Sequence, residues 1–186
     1  DVKDIKHPIF RAVLSGYKSI SRIEIHSIAD IPSGTGLGSS SAFTAALLRA
    51  VHHQNLVDMT KTELAEETCR IEIDRLGMPI GKQDQYASVF GGLNEFTFQK
   101  NGSVNVSPIK LSRSDIEIFC DHLLIYYTGE QRAAKDLLID QKKKSKNNDQ
   151  QMIDNLHRTK EIGYTSAEAI KNLDVEKYGV LTAQHW

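Results

Sequence analysis

Cysteine is scarce in this 186-residue chain, which holds only Cys69 and Cys120. They lack the CxxC spacing of a redox or zinc motif, and their apolar-periodic surroundings predict two buried free thiols. No signal-peptide pattern is present, so the expected compartment is reducing and cytoplasmic. Long hydrophobic runs are missing too: no stretch comes near the ~20 apolar residues that span a bilayer, and no membrane partner is expected. Charge of one sign is equally absent, since 23 Lys+Arg against 24 Asp+Glu leave a formal net charge of −1. No overall field draws the chain to nucleic acid, so its partners are expected to be small molecules. What is present, 40% hydrophobic and 25% charged residues, is the make-up of a globular protein with a sizeable core.

Along the chain, Pro8 at a first helical position with Ile9, Val13 and Leu14 predicts a short helix, and Arg22 to Ile28 alternates as a half-buried strand does. Gly34, Gly36 and Gly38 then forbid regular structure and permit unusual backbone angles. From Ser39, the residues Ala42, Phe43, Ala45, Ala46, Leu47, Leu48 and Val51 mark an apolar helix. Thr60 and Glu63 form a capping box for another, reaching about Arg75. Gly77, Pro79 and Gly81 break it, and Gln83 to Phe90 is helical again until Gly91-Gly92. Leu93 to Phe98 and Val104 with Val106 alternate around Asn101-Gly102, the signal of a two-residue hairpin turn. After a polar stretch holding Arg113-Ser114-Asp115, Leu123 to Tyr127 reads as a strand. Thr128-Gly129-Glu130 turns into a helix starting near Gln131, with further helices over Met152 to Ile170 and from Val175. A domain boundary is expected near 119, giving parts 1–119 and 120–186. The Lys142, Lys143, Lys144 and Lys146 cluster reads as a solvated helix end, and His52-His53 as a surface pair without the carboxylate spacing of a metal site.

The glycine loop admits three readings. A Walker loop needs a Lys directly before the Ser or Thr at the helix start, and Gly38 stands there instead. A dinucleotide fingerprint needs glycine at position 39, which is Ser. The third is a phosphate cradle at a helix N-terminus, where unpaired amides and the helix dipole favour an anion and a serine hydroxyl can reach its Mg2+. Serines at a helix start also cap it, with or without a ligand.

The run Pro32-Ser33-Gly34-Thr35-Gly36-Leu37-Gly38-Ser39-Ser40-Ser41-Ala42 resembles the central signature of the GHMP small-molecule kinases. Ile71-Glu72, followed by Gly77-Met78-Pro79-Ile80-Gly81-Lys82-Gln83-Asp84-Gln85 and Gly91-Gly92, resembles that family's metal-ligand and catalytic-aspartate region. Within the superfamily, His7-Pro8, Gly81 to Tyr86, Tyr127-Thr128-Gly129 with Arg132, and Asn155-Leu156-His157 are most similar to the D-glycero-D-manno-heptose 7-phosphate kinases. The resemblance implies an α+β GHMP kinase fold: an N-terminal part like ribosomal protein S5 domain 2, and a ferredoxin-like C-terminal part, incomplete at both ends. It also implies ATP and Mg2+, and phosphorylation of the sugar's anomeric hydroxyl on the way to a nucleotide-activated heptose for bacterial surface polysaccharide. The missing family motifs would lie upstream of Asp1 and downstream of Trp186, so these residues alone are expected to bind nucleotide weakly and turn nothing over.

Residue by residue, the resemblance assigns ATP phosphates to Gly34, Thr35, Gly36, Leu37, Gly38, Ser39, Ser40 and Ser41. It assigns the metal to Ser39, Ser40 and Glu72, catalysis to Asp84, and substrate to Lys82, Gln83, Thr128 and Arg132. Each role has a plain rival: Glu72 as an exposed helix glutamate, Asp84 as an acid at a helix start, Arg132 as a surface arginine. A fucose or galactose kinase, or a non-catalytic sugar or nucleotide sensor on the same fold, is the alternative function.

Overall fold

The structure, a computed structural model, describes residues 1–17, 23–31, 34–126 and 134–185. It divides into two compact units, 1–91 with 129–135 and 92–128 with 136–186. The first passage between them lies at Gly91 and Gly92, and residue 119 belongs to a helix of the second unit. No described helix is long and apolar enough to cross a membrane.

The first unit is helical in its described residues. Helix α1 (Pro8–Leu14) starts with Pro8 in its first turn, where the missing N–H costs no helical bond. Helix α2 (Ser39–Gln54) presents Leu47, Leu48 and Val51 to Ile9, Val13 and Leu14 of α1 and to Leu64 of helix α3 (Lys61–Cys69). Burial of each such side chain contributes about 1.5–3 kcal/mol. The Thr60–Glu63 capping box is formed as expected at the start of α3. The helix continues as a π-helical segment, Arg70–Arg75, where Leu76 N–H donates to the Ile71 carbonyl at 3.0 Å. Gly77, at φ 65°, ends it. Helix α4 (Gln83–Phe90) follows and stops at Gly91.

In the second unit, strands β1 (Asn94–Phe98) and β2 (Val104–Pro108) pair antiparallel with Phe96 opposite Val106. The turn is longer than the two residues expected. Gln99 N–H donates to the Ser103 carbonyl at 2.9 Å, leaving Lys100, Asn101 and Gly102 at the tip with Gly102 at φ 85°. Helix α5 (Arg113–Asp121) occupies the stretch read as merely polar, and Ser112 with Asp115 forms its capping box. Helices α6 (Ala134–Lys146), α7 (Gln150–Lys171) and α8 (Val175–His185) follow, and Phe119 of α5 packs edge-on against Tyr178 of α8 at 5.3 Å.

Four further expectations are corrected. Residues 23–28 form no strand, nor do residues 123–126, because no strand among the described residues lies beside either to take its hydrogen bonds. Ile28, Leu124 and Ile125 are consequently exposed. Cys120 is exposed, since α5 turns Phe119 inward in its place, while Cys69 is buried as expected. His52 is buried rather than on the surface: its Nε2 lies 2.7 Å from Tyr17 Oη and 2.9 Å from Glu67 Oε2, partners far apart in sequence, while its Nδ1 has no hydrogen-bond partner among the described residues. His53 beside it is exposed.

Candidate active site

The glycine loop meets α2 through three left-handed residues, Gly34 at φ 80°, Gly36 at φ 78° and Gly38 at φ 69°. An L side chain is strained in this region, so the alternating glycines are what let the chain turn sharply into the helix. Pro32 and Ser33 lie outside the described residues. No side chain caps α2 at Gly38. Thr35, Gly38 and Ser39 are half-buried, while Gly36 and Leu37 are exposed. A Cβ placed on Gly36 would meet nothing within 4 Å, so space is open on that side of the loop.

One turn into α2 lies a compact cluster of oxygens. The Glu72 carboxylate is completely buried and accepts from four neutral donors. Ser40 Oγ and Thr44 Oγ1, the latter at 3.3 Å, donate to its Oε1; Ser41 Oγ and Gln85 Nε2, each at 2.7 Å, donate to its Oε2. The exposed-glutamate reading of Glu72 is thereby removed. Local periodicity accounts for the arrangement: Thr68 and Glu72 are one helical turn apart, and both face inward beside Ile71.

Asp84 sits in the first turn of α4, its side chain accessible to solvent. Loop and aspartate come together, for a Cβ on Gly38 would stand 3.5 Å from Asp84 Cβ and 3.6 Å from its Cγ. Partial desolvation, and then the negative charge of Glu72, raise the Asp84 carboxyl above its usual pKa. Of the residues expected to hold substrate, Gln83 is exposed at the start of α4, and Lys82 reaches Glu66, with Nζ 2.8 Å from both carboxylate oxygens. Thr128 and Arg132 lie outside the described residues. Ser41, expected at the phosphates, bonds Glu72 instead, Gln85 stands in the second motif with no role assigned to it, and Thr44 and Glu66 belong to neither motif; helical spacing from Ser40 and the position next to Asp84 are the signals for Thr44 and Gln85.

The donor set suits a hard cation. Ser40 and Glu72 supply hydroxyl and carboxylate oxygens in direct contact, the chemistry Mg2+ prefers. No group of three His, Cys, Asp or Glu gathers among the described residues.

Residues 5–92 match the family described as GHMP kinases N terminal domain. The chain is 29% identical over 187 aligned residues to D-glycero-alpha-D-manno-heptose 7-phosphate kinase of Campylobacter jejuni, covering 98% of this chain and 54% of the relative. It is 28% identical to the galactokinase of Pyrococcus furiosus, covering 98% of this chain and 57% of that protein. Among solved structures, a D-glycero-D-manno-heptose 1-phosphate kinase from Bacteroides thetaiotaomicron superposes with a TM-score of 0.74 at 26% identity, covering 96% of this chain and 52% of the other. The α+β fold is therefore that of a GHMP kinase, and the chain spans about half the length of these relatives.

Proposed function

With residues 5–92 carrying a GHMP kinase N-terminal domain, we propose that the protein is an ATP- and Mg2+-dependent sugar kinase acting on the anomeric hydroxyl of D-glycero-D-manno-heptose 7-phosphate. The observation that carries this reading is the meeting of the left-handed glycine loop, the Ser40–Glu72 oxygens and Asp84 in one place. A capped helix alone would need no such convergence. The heptose is favoured by its named relative, which covers nearly all of this chain.

When bound, ATP and Mg2+ would supply the phosphoryl group and offset the charge that spreads over its oxygens during transfer. The loop amides from Gly34 to Ser41 would hold the phosphates at the positive end of α2. Ser40 and Glu72 would hold the metal, with Ser39 beside them at the first position of the helix. Asp84 would take the proton of the attacking hydroxyl as the new oxygen–phosphorus bond forms and the bond to the ADP oxygen breaks. Its raised affinity for a proton suits a base better than an ordinary carboxylate would. Use of ATP and a sugar phosphate would suit the cytoplasm, and the 1,7-bisphosphate product would feed nucleotide activation of the heptose for surface polysaccharide.

A galactose-type substrate is the second reading, favoured by the galactokinase relative that covers as much of this chain. The test is turnover by the natural full-length polypeptide with ATP, Mg2+ and, in separate reactions, heptose 7-phosphate, fucose, mannose and galactose. ADP release with heptose 7-phosphate, lost in Asp84→Ala while nucleotide affinity is kept, is the expected result. Activity on a free hexose alone would replace the substrate, and binding of both ligands without ADP release would make the protein a sensor.

A further inference from the structure

Glu66 belongs to no motif singled out in the sequence, yet it holds the helix that carries Asp84. It stands on α3, which packs against α4, and takes Lys82 Nζ at 2.8 Å on both carboxylate oxygens and Tyr86 Oη at 2.6 Å on Oε1. Lys82 is the residue at which α4 begins, and Tyr86 is one turn further on, only 1% exposed and stacked on Phe90 at 5.8 Å. Asp84 lies midway between them. Desolvation works against the Glu66 charge, but the Lys82 and Tyr86 bonds outweigh it and hold the carboxyl below its usual pKa. Glu66 is therefore an anion that grips both ends of one helical turn.

The direction of that turn is set by what packs on it from outside α4, where α2 and α3 both lie against it. Helix α4 has eight residues and no side-chain cap, and residues 77–81 ahead of it form no regular structure. A helix this short is not stable alone and takes its direction from tertiary contacts. Gln85 supplies one such contact, to Glu72. Glu66 supplies a second, from a different residue of the same α3 and π-helical wall.

We propose that Glu66 is a positioning residue, which acts through Lys82 and Tyr86 to aim Asp84 at the attacking hydroxyl, with Lys82 a strut of this clamp rather than a ligand of the sugar phosphate. The inference rests on the kinase reading above. Misplacement of a reacting group by ~1 Å can cost about 100-fold in rate, so loss of the clamp should appear in kcat. The loop that holds the nucleotide belongs to α2 and is not part of the clamp, so KM for ATP should stay unchanged.

The experiment compares Glu66→Gln, Lys82→Met, their double variant and Tyr86→Phe in the full-length polypeptide, with ATP and heptose 7-phosphate varied separately and thermal melting as the control for folding. Tyr86→Phe removes a single hydroxyl and serves if a charge variant does not fold. The expected result is a kcat lower by about 10-fold to 100-fold in Glu66→Gln and Lys82→Met. Both KM values should stay within about twofold, and the double variant should be no worse than the poorer single one, as members of one unit behave. Tyr86→Phe should lose kcat in the same sense. A raised KM for the sugar phosphate in Lys82→Met, with kcat intact in Glu66→Gln, would overturn the clamp and make Lys82 a substrate ligand. A wild type without turnover on any sugar would overturn the kinase reading, and the clamp's catalytic role with it.

Discussion

Replacing Glu72 by alanine tests the oxygen cluster at its centre. Of the four donors, Thr44 keeps a second acceptor, the Ser40 carbonyl at 2.9 Å, and Ser40 is only half-buried, so water can reach it. Ser41 and Gln85 are different: at 2% and 0% exposure they lose their acceptor with no solvent to replace it. Each stranded donor costs about 1–3 kcal/mol, so the variant should lose about 2–6 kcal/mol, a large part of an ordinary domain's stability. Glu72→Gln keeps the shape, and its amide can accept from one side while hydroxyls on the other rotate to accept from it. Exchanging charged for neutral hydrogen bonds should cost it only about 1–2 kcal/mol. Urea unfolding followed by far-UV circular dichroism, with the slope checked for constancy, measures both. Mn2+ binding by electron paramagnetic resonance then separates structure from ligation, since the glutamine variant should be nearly as stable as wild type yet fail to bind. An alanine variant within about 1 kcal/mol of wild type would refute the reasoning, because two donors buried this deeply cannot lose their acceptor at no cost.

Stability should also fall at alkaline pH. Burial pushes the Cys69 thiol from 9.0 to about 12, burial and then Glu67 push Tyr17 from 10.0 to about 12, and burial with the Glu66 bond raises Tyr86 as well. With folded pKa values above the unfolded ones, the stability they add is fully present below about pH 9 and is lost as pH rises towards 12. Urea midpoints across that window should drop, and less so in Tyr17→Phe; a flat profile would contradict the burial of these groups. Thiol titration at about pH 8 should find Cys120 reacting at once and Cys69 only after unfolding, whereas two fast thiols would place Cys69 outside the core. Gly36→Ala and Gly77→Ala, at φ 78° and 65° with open space at both, should each lose about 1–2 kcal/mol to left-handed strain. Only Gly36→Ala should weaken nucleotide binding, as judged by calorimetry, and an equal loss in both would sink the cradle.

Much of the first unit was legible because its signals are local. Pro8, the Thr60–Glu63 box and Gly91 mark helix ends through atoms a few residues apart, and the loop glycines announce their backbone angles one by one. The misses need partners that are remote in sequence. Alternation in residues 23–28 and 123–126 describes a strand only where another strand lies beside it, and among the described residues none does. His52 is buried because Tyr17 and Glu67 converge on it, a meeting of three segments that no spacing along α2 reveals. Helix α5 is the exception, for its capping box at Ser112 and Asp115 was local and was masked by the polar composition around it.

The acids along α3 and the π-helical segment show what the motifs could not. Glu66 is neutralised by Lys82, and Glu67 accepts from Tyr17 Oη and lies 2.9 Å from His52 Nε2. Glu72 and Asp84 pair with no cationic side chain among the described residues, although one is fully buried and the second has its pKa raised by partial desolvation and then by the first. Four neutral donors spread the Glu72 charge without cancelling it, and a carboxylate at that depth is ordinarily paired or bound to a metal. Two carboxylates with no cationic partner among the described residues, close to the N-terminus of α2, would suit a divalent cation and an anion bound together. A metal-bound nucleotide supplies both at once, which is why loss of the Glu72 charge should abolish cation binding even where the fold is kept.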